Sequence, residues 1–196
     1  MEAIGNRRSI RKFAPEPIPR EAVLQILEAG IKAPSAKNRQ PWKFIAVQGK
    51  AKAAMLAAFR QGLEQERTGN GLLPHSKLFL ASAENTLEIM AQAPLTVFVL
   101  NTKGKDLCKA LGPEERIYEA ANLQSIGAAI QNMLLAATEI GIGSLWICDV
   151  FFAYEALEAW LEVNGEMVAA VSFGYALESP AARPRKALAD VLEWRE

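Results

Sequence analysis

The chain has 196 residues, with 22 basic and 22 acidic side chains and a formal net charge of zero, and its length suffices to bury one core. Nucleic acids and anionic membranes bind broad basic surfaces, and a chain with balanced charges is not expected to have one. Any site for an anion must therefore be local. From this length we expect a single domain over residues 1–196. Only two cysteines occur, Cys108 and Cys148, too few for a disulfide framework, so we expect a reducing cytoplasm.

The first elements are a short helix, an extended connector and a second helix. The short helix is expected to end near the arginines at positions 7 and 8. Prolines at positions 15, 17 and 19 then favour an extended connector, because each fixes φ and disfavours helix in its predecessor. A helix begins near Pro19 and ends before Pro34. Its core-facing residues recur at helical spacing: Val23, Ile26, Leu27, Gly30 and Ile31.

The middle of the chain alternates strands and helices. Residues 42–47 are rich in aromatic and branched side chains and predict a strand, and residues 50–66 predict an alanine-rich helix. Residues 68–71, with two glycines, predict a flexible tip. A further helix is expected over residues 76–92 and a second strand over residues 95–100, followed by a polar connection.

A long helix is predicted from about residue 114 to residue 140, with Gly141 as its C-terminal cap. It is apolar nearly all round, which is typical of a buried helix, and Gly127 would allow close approach of another backbone. Its polar residues repeat every seven positions: Gln124, Ser125, Gln131, Asn132, Thr138 and Glu139. This stripe indicates contact with a partner subunit or a ligand; an ordinary amphipathic helix with a narrow wet face is the alternative.

The last elements are less regular. Residues 145–148 are extended or loop-like, and residues 154–163 predict a helix. Residues 167–175 form a third strand, apolar apart from Ser172 and therefore central in a sheet. A final amphipathic stretch ends in Trp194.

Two compact basic groups at opposite ends of the chain form the main candidate site. Residues 7–12 place four cations and one hydroxyl within six positions, and residues 183–186 carry a second group. A guanidinium offers forked donors that match a phosphate, so the two groups would clamp one phosphate if folding brings them together. A solvated basic turn is the alternative interpretation.

Several other functions are disfavoured by missing patterns. No GxGxxG or P-loop sequence follows a strand. His75 is the only histidine, in a predicted loop, and no GxSxG motif offers a serine for a triad. One imidazole and two separated thiols make a poor ligand set, so no metal site is expected. Residues 1–6 lack the apolar core of a signal peptide, and residues 128–150 are too polar to span a bilayer.

Three sequences together resemble the FMN-dependent nitroreductase family: RRSIRKF near the start, PSAKNRQPW before the first strand and RPRK near the end. The likeness spans nearly the whole chain. It implies an α+β, nitroreductase-like fold with a central, mostly antiparallel sheet flanked by helices. It also implies an intertwined homodimer with two FMN sites at the subunit interface, which the long helix would form.

The resemblance further implies which residues contact FMN. Residues from both chain ends would hold the phosphate and ribityl chain: Arg7, Arg8, Ser9, Arg11, Arg183 and Arg185. A loop of the other subunit would contact the isoalloxazine ring: Pro34, Ser35, Ala36 and Asn38. Three residues would line the ring near its reactive N5 atom: Trp146, Ile147 and Cys148.

The implied activity is hydride transfer from NADH or NADPH through flavin N5 to a nitroaromatic, a quinone or a similar small-molecule acceptor, in a ping-pong cycle. The chemistry belongs largely to the flavin, so we name no catalytic side chain. Relatives of this fold also carry out dehalogenation, flavin fragmentation or enoate reduction, and these reactions are the first alternative. A non-catalytic flavin-binding module is the second.

Three residues depart from the family pattern. Lys37 and Arg39 add cations to the ring-contacting loop, where they would either favour an anionic donor or acceptor or point into solvent. Cys148 stands where family members often have glycine or glutamate, and we expect inert packing of its thiol with only the backbone N–H facing N5. The polar residue with which the family helps bind the ring, on the helix before the second strand, has no match that we can place.

Overall fold

The computed structural model describes residues 1–105 and 107–196; Asp106, in the predicted polar connection, lies outside them. Within the described residues the strands are β1 Trp42–Gln48, β2 Leu95–Asn101, β3 Gly143–Ile147 and β4 Glu166–Gly174. The α-helices are α1 Glu2–Asn6, α2 Arg20–Ile31, α3 Ala51–Thr68, α4 Leu80–Gln92, α5 Pro113–Glu139 and α6 Tyr154–Leu161. No described helix combines the length and the apolar character needed to cross a membrane.

The four strands form one antiparallel sheet in the order β1–β2–β4–β3. Strands β2 and β4 occupy the centre, which confirms the prediction from the apolar third strand, and every residue of β2 is buried. The segment left open as extended or loop-like is β3, an edge strand. The α+β class and the mostly antiparallel sheet expected from the family resemblance are confirmed.

Helices cover both faces of this sheet. Side chains alternate along a strand, so Phe98 of β2 lies in one core cluster and Val97 and Val99 lie in the other. Helices α3, α4 and α6 pack on the Phe98 face, and α2 and α5 pack on the opposite face. Burial of each large side chain in these clusters contributes about 1.5–3 kcal/mol to folding. Both ends of the sheet remain available for loops and chain termini.

Helix α2 packs against α5 through the predicted apolar face, with one exception. A Cβ atom on Gly30 would lie 2.9 Å from Met133 Cγ, so glycine permits the close approach of the two helices. The assignment of Ile31 to the core-facing stripe is wrong, because its side chain is 53% exposed. Ile31 follows Val23 by eight residues, and over eight residues an α-helix turns about 80° beyond two full turns. The side chain of Ile31 therefore points away from the face that carries Val23.

Helix α5 begins at Pro113 and is followed by Gly141 at a φ of +74°, as the sequence predicts. Its polar stripe, however, does not meet one common surface. Ser125 is buried within the protomer, where its Oγ accepts the backbone N–H of Ala36, and Asn132 Nδ2 donates to the Ala29 carbonyl at 3.2 Å. The interpretation of the stripe as a surface for a partner subunit or a ligand is therefore wrong for Ser125 and Asn132, which serve the packing of α2 and the loop after it; for the rest of the stripe it stays a prediction.

The C-terminal tail forms little regular structure. After β4 it contains one short 3-10 turn, Leu188–Asp190, and residues 181–196 are exposed throughout. The final stretch predicted to be amphipathic therefore has no apolar face buried within the protomer. Trp194 is 79% exposed.

Candidate functional site

Backbone hydrogen bonds bring the two ends of the chain together. The N–H of Ile10 donates to the Ser144 carbonyl of β3 at 3.0 Å, and Ser9 forms a parallel bridge with Ser144. After β4, the N–H of Leu177 donates to the Lys12 carbonyl at 2.9 Å. The segment after α1 is thus held between β3 and the residues that follow β4, and the two basic groups become neighbours.

A cavity of about 260 Å³ opens at this junction. Its lining includes all six residues that the sequence analysis assigned to the phosphate and ribityl chain: Arg7, Arg8, Ser9, Arg11, Arg183 and Arg185. The remaining lining comes from α1 and from residues 180–182. The structure therefore brings both halves of the predicted basic cluster into one place.

The five arginines of this cavity, which we call the arginine cluster, have no carboxylate partners. None of them forms an ion pair in the described part of the chain. Their side-chain hydrogen bonds go to backbone carbonyls instead, as from Arg8 Nη1 to Gly5 O at 2.6 Å and from Arg185 Nη1 to Arg183 O at 3.2 Å. The Glu178 carboxylate accepts the backbone N–H of Arg11 at 2.5 Å. Five arginines without an ion pair among the described residues repel each other, and an anion in the cavity would relieve that repulsion.

Ser144 is a neighbour of this cluster that the sequence analysis did not single out. Its side chain is 2% exposed, and no described group hydrogen-bonds to its Oγ. A buried hydroxyl without a partner is uncommon in folded proteins. No sequence pattern marks this serine, because its position depends on the pairing of β3 with Ser9.

Residues 34–41, which we call the proline-bounded loop, have a backbone that few residues adopt. Lys37, Asn38 and Gln40 have φ angles of 52°, 53° and 46°, in the left-handed region. A side chain in that region costs of order 1–3 kcal/mol, less for asparagine than for the other two. The loop does not line the arginine cavity of its own protomer. Its contact with the flavin site of another subunit stays a prediction from the family resemblance.

The third predicted group lies at the far end of β3 from Ser144. Trp146 is partly exposed and lies against α5 at Gly127, where an added Cβ would be 3.8 Å from the ring, so Gly127 accommodates this side chain within the protomer. Ile147 is buried in the core, and only its backbone can face a ligand. Desolvation and the neighbouring Asp149 carboxylate raise the pKa of the Cys148 thiol, which is therefore protonated at neutral pH.

A second polar cluster lies where β2 ends and β4 begins, and the sequence analysis missed it. Asn101 Nδ2 donates to Glu119 Oε1 at 2.8 Å and to Glu166 Oε2 at 3.5 Å. Burial, a hydrogen bond with Glu119 and the charge of that carboxylate raise the pKa of Glu166 to about 8. Burial and a hydrogen bond with Glu158 raise the pKa of Tyr154 nearby. The only sequence signal was an acidic residue directly before an apolar strand.

Comparisons with known proteins agree with this geometry. A sequence model of the nitroreductase family matches residues 4–175. The chain is 29% identical to a putative NAD(P)H nitroreductase, YfhC, of Bacillus subtilis, over 96% of this chain and 90% of that protein. It is 31% identical to a 5,6-dimethylbenzimidazole synthase of Rhodospirillum rubrum, over 72% of this chain and 64% of the synthase.

Solved structures agree as well. A putative nitroreductase of Desulfovibrio desulfuricans in complex with FMN is 27% identical and superimposes with a TM-score of 0.71, over 100% of this chain and 95% of that one. The NADPH complex of an FMN-dependent nitroreductase of Mycobacterium smegmatis has a TM-score of 0.79 at 22% identity, over 100% and 97% of the two chains, and shows a common fold. The family resemblance is confirmed, and the chain belongs to the nitroreductase family.

Proposed function

We propose that the protein is an FMN-dependent oxidoreductase that passes hydride from NADH or NADPH to a nitroaromatic, a quinone or a similar small acceptor. The observation that carries this proposal is the convergence of five arginines from both chain ends on one cavity without a carboxylate partner. A related protein crystallised with FMN and a relative described as an NAD(P)H nitroreductase support it.

The residues present suit FMN. Guanidiniums and a hydroxyl match a phosphate group, and the arginine cluster supplies both. From Ser144, beside the cavity, to Cys148 the chain runs four residues along β3, or on the order of 13 Å at 3.3 Å per residue. A ligand with a phosphate at one end and an aromatic ring at the other can follow this strand. Bound FMN supplies a ring that accepts a hydride and passes it on.

The proposed roles of the individual residues follow from their positions. Arg7, Arg8, Ser9 and Arg11 neutralise and orient the phosphate, together with Arg183 and Arg185 of the tail. Trp146 borders the ring, the backbone of Ile147 and Cys148 faces its edge, and the protonated Cys148 thiol takes no part in proton or electron transfer. Pro34, Ser35, Ala36 and Asn38 of the other subunit contact the ring.

We further propose that the protein works as an intertwined homodimer. Exposed apolar side chains in two parts of the protomer support this proposal. Ile117 and Leu123 on α5 are 69% and 39% exposed, and the tail exposes Leu188, Val191 and Trp194. A partner subunit would remove such side chains from water. We expect the full chain to sediment as a dimer, and a Trp194→Asp variant to shift it toward monomer; a wild-type monomer at micromolar concentration would refute the assembly.

The test of the cofactor assignment uses flavin retention. The purified protein should be yellow, with the absorbance spectrum of oxidised flavin. Loss of one charge-assisted contact, in Arg11→Ala or Arg185→Ala, should weaken FMN binding about tenfold or more. Arg20→Ala, an exposed arginine at the start of α2, is the matched control and should bind FMN as the wild type does. Unchanged FMN affinity in both cluster variants would refute the phosphate assignment.

A second candidate function is a specialised reaction of the bound flavin, which the 31% identity to a 5,6-dimethylbenzimidazole synthase favours. Turnover with NADPH and a panel of nitroaromatic and quinone acceptors separates the two functions. Acceptor-dependent oxidation of NADPH supports the first proposal. Appearance of dimethylbenzimidazole without an added acceptor, detected by mass spectrometry, supports the second. Bound FMN that neither NADH nor NADPH reduces would indicate a non-catalytic module.

A further inference from the structure

The proline-bounded loop carries two cations whose surroundings differ. The guanidinium carbon of Arg39 lies 4.4 Å from the centre of the Tyr118 ring on α5, within the range of a cation–π contact, and Arg39 is half-buried. Lys37 is exposed, and no described residue hydrogen-bonds or pairs with it. The two side chains therefore have different tasks, and Arg39 is the one that attaches the loop to a helix.

The loop needs such an attachment because its backbone is strained. Left-handed residues persist only where the surroundings determine the conformation, and three of them, none a glycine, occur between Ser35 and Pro41. Several hydrogen bonds also hold the loop. At its end, the N–H and the Oγ1 of Thr102 donate to the Pro41 carbonyl at 2.7 and 3.0 Å. Ser35 Oγ accepts the N–H of Gln40 at 3.0 Å, and Ser125 Oγ accepts the N–H of Ala36 at 3.3 Å. Both act on the first half of the loop or within it. The Arg39 contact is the one that fixes its second half to α5.

The position of Tyr118 is itself determined by the sheet. Its neighbour Glu119 accepts a 2.8 Å hydrogen bond from Asn101 at the end of β2. This bond holds the exposed first turns of α5 against the central strands. Tyr118 is 37% exposed, and the Arg39 guanidinium lies over one face of its ring. One path from β2 to the loop therefore runs through this aromatic ring, beside the direct hydrogen bonds from Thr102 to Pro41.

We propose that Tyr118 is a positioning residue, which holds Arg39 and thereby keeps the proline-bounded loop in the shape that presents Ser35, Ala36 and Asn38 to the flavin of the partner subunit. The second half of this statement rests on the proposed function; the first half concerns the loop alone. Tyr118 touches neither cofactor nor substrate in this scheme. Its ring, not its hydroxyl, is the group that matters.

The variants follow from that distinction. Tyr118→Phe keeps an aromatic face for Arg39, whereas Tyr118→Leu keeps an apolar side chain without one. Arg39→Met removes the cation and keeps the length of the side chain. The double variant Tyr118→Leu/Arg39→Met tests whether the two residues act through their mutual contact, because its loss should then not exceed that of either single variant.

The first measurement needs no cofactor. Trypsin cleavage of the folded protein after Lys37 reports local opening of the loop, and cleavage after Lys77, in the turn before α4, is the internal control. We expect Tyr118→Leu and Arg39→Met to accelerate cleavage after Lys37 about 2- to 30-fold, the range of a cation–π contact. Tyr118→Phe should match the wild type. Equal cleavage rates in all variants, or a Phe variant as fast as the Leu variant, would overturn the proposal.

The second measurement uses the holoenzyme. We expect Tyr118→Leu and Arg39→Met to lower kcat/KM for a nitroaromatic acceptor about 2- to 30-fold, with the dimer intact by sedimentation and the Phe variant within twofold of wild type. Additive losses in the double variant, or losses explained by dissociation of the dimer, would overturn the role in positioning. A wild-type protein that binds no FMN refutes the proposed function instead, and the trypsin result then decides the loop-anchoring role by itself.

Discussion

Glu166 offers the sharpest test of the electrostatics of this fold. Its side chain is 8% exposed, at the start of β4, and faces the Glu119 carboxyl across Asn101. Glu158 on α6 adds a further negative charge that raises the pKa of Glu166. Lys105 and Glu166 line one small cavity, but Lys105 Nζ lies 3.9 Å from another carboxylate, that of Glu115. A proton held on Glu166 and hydrogen-bonded to Glu119 is therefore what makes the proximity of the two side chains tolerable.

The magnitude follows from the pKa values. Burial raises the pKa of Glu166 from its ordinary value of 4.5 to about 8, so the folded protein binds this proton more tightly than the unfolded chain. The resulting stability is fully present below pH 4.5 and is lost as the pH rises through about 8. A rise of this size corresponds to about 5 kcal/mol, which is the upper value for the loss.

The assay is denaturant unfolding of the wild type and of Glu166→Gln between pH 5 and pH 9. Glutamine keeps the shape of the protonated acid and cannot ionise. We expect the free energy of unfolding of the wild type to fall across this range by several kcal/mol more than that of Glu166→Gln. The exposed Glu88→Gln is the matched control and should follow the wild type. Parallel curves for wild type and Glu166→Gln would refute the proton held on Glu166.

Three further predictions concern single positions. Gly62→Ala places a Cβ atom 2.3 Å from the Ala153 backbone and should lower the free energy of unfolding by about 3 kcal/mol or more. In the control Gly5→Ala the new Cβ atom has no neighbour within 4 Å, so this variant should unfold like the wild type. Lys37→Ala should lower kcat/KM for the anionic acceptor 4-nitrobenzoate by up to about fivefold, because an exposed charge pair is worth at most about 1 kcal/mol. It should leave kcat/KM for the neutral 4-nitrobenzyl alcohol unchanged, and equal effects on both acceptors would contradict this prediction. Because its pKa is raised, the Cys148 thiol should react with iodoacetamide at pH 7.5 more slowly than free glutathione does. Mass spectrometry of the peptide that contains Cys148 measures the rate, and faster labelling would contradict the raised pKa.

Local signals in the sequence sufficed for most of the secondary structure. Helix α5 was predicted to within one residue at each end, because Gly141 takes up the left-handed conformation that ends a helix there. Strand β2 was recognised from its branched and aromatic residues. The interpretation of the polar stripe of α5 as a surface for a partner or a ligand was wrong for Ser125 and Asn132, since periodicity shows which residues share a direction and not what occupies the space beyond them.

The residues of the candidate site were also legible in the sequence, as two basic groups and one proline-bounded loop. Their arrangement was not. The arginines of the two chain ends meet because residues 9–12 pair with β3 on one side and with the residues after β4 on the other. The contact of Arg39 with Tyr118 and the pairing of Glu119 with Glu166 likewise join positions far apart in the chain.

The sequence by itself determined the helices, the strands, the family and the chemical type of the anion site, because steric and hydrogen-bonding preferences act over a few neighbouring residues. Only the tertiary structure decided that five arginines line one cavity, that Arg39 rather than Lys37 lies over an aromatic ring of α5, and that burial raises the pKa of Glu166. Charge interactions and burial depend on distance in space, and the distance between residues remote in the chain is set when the sheet assembles.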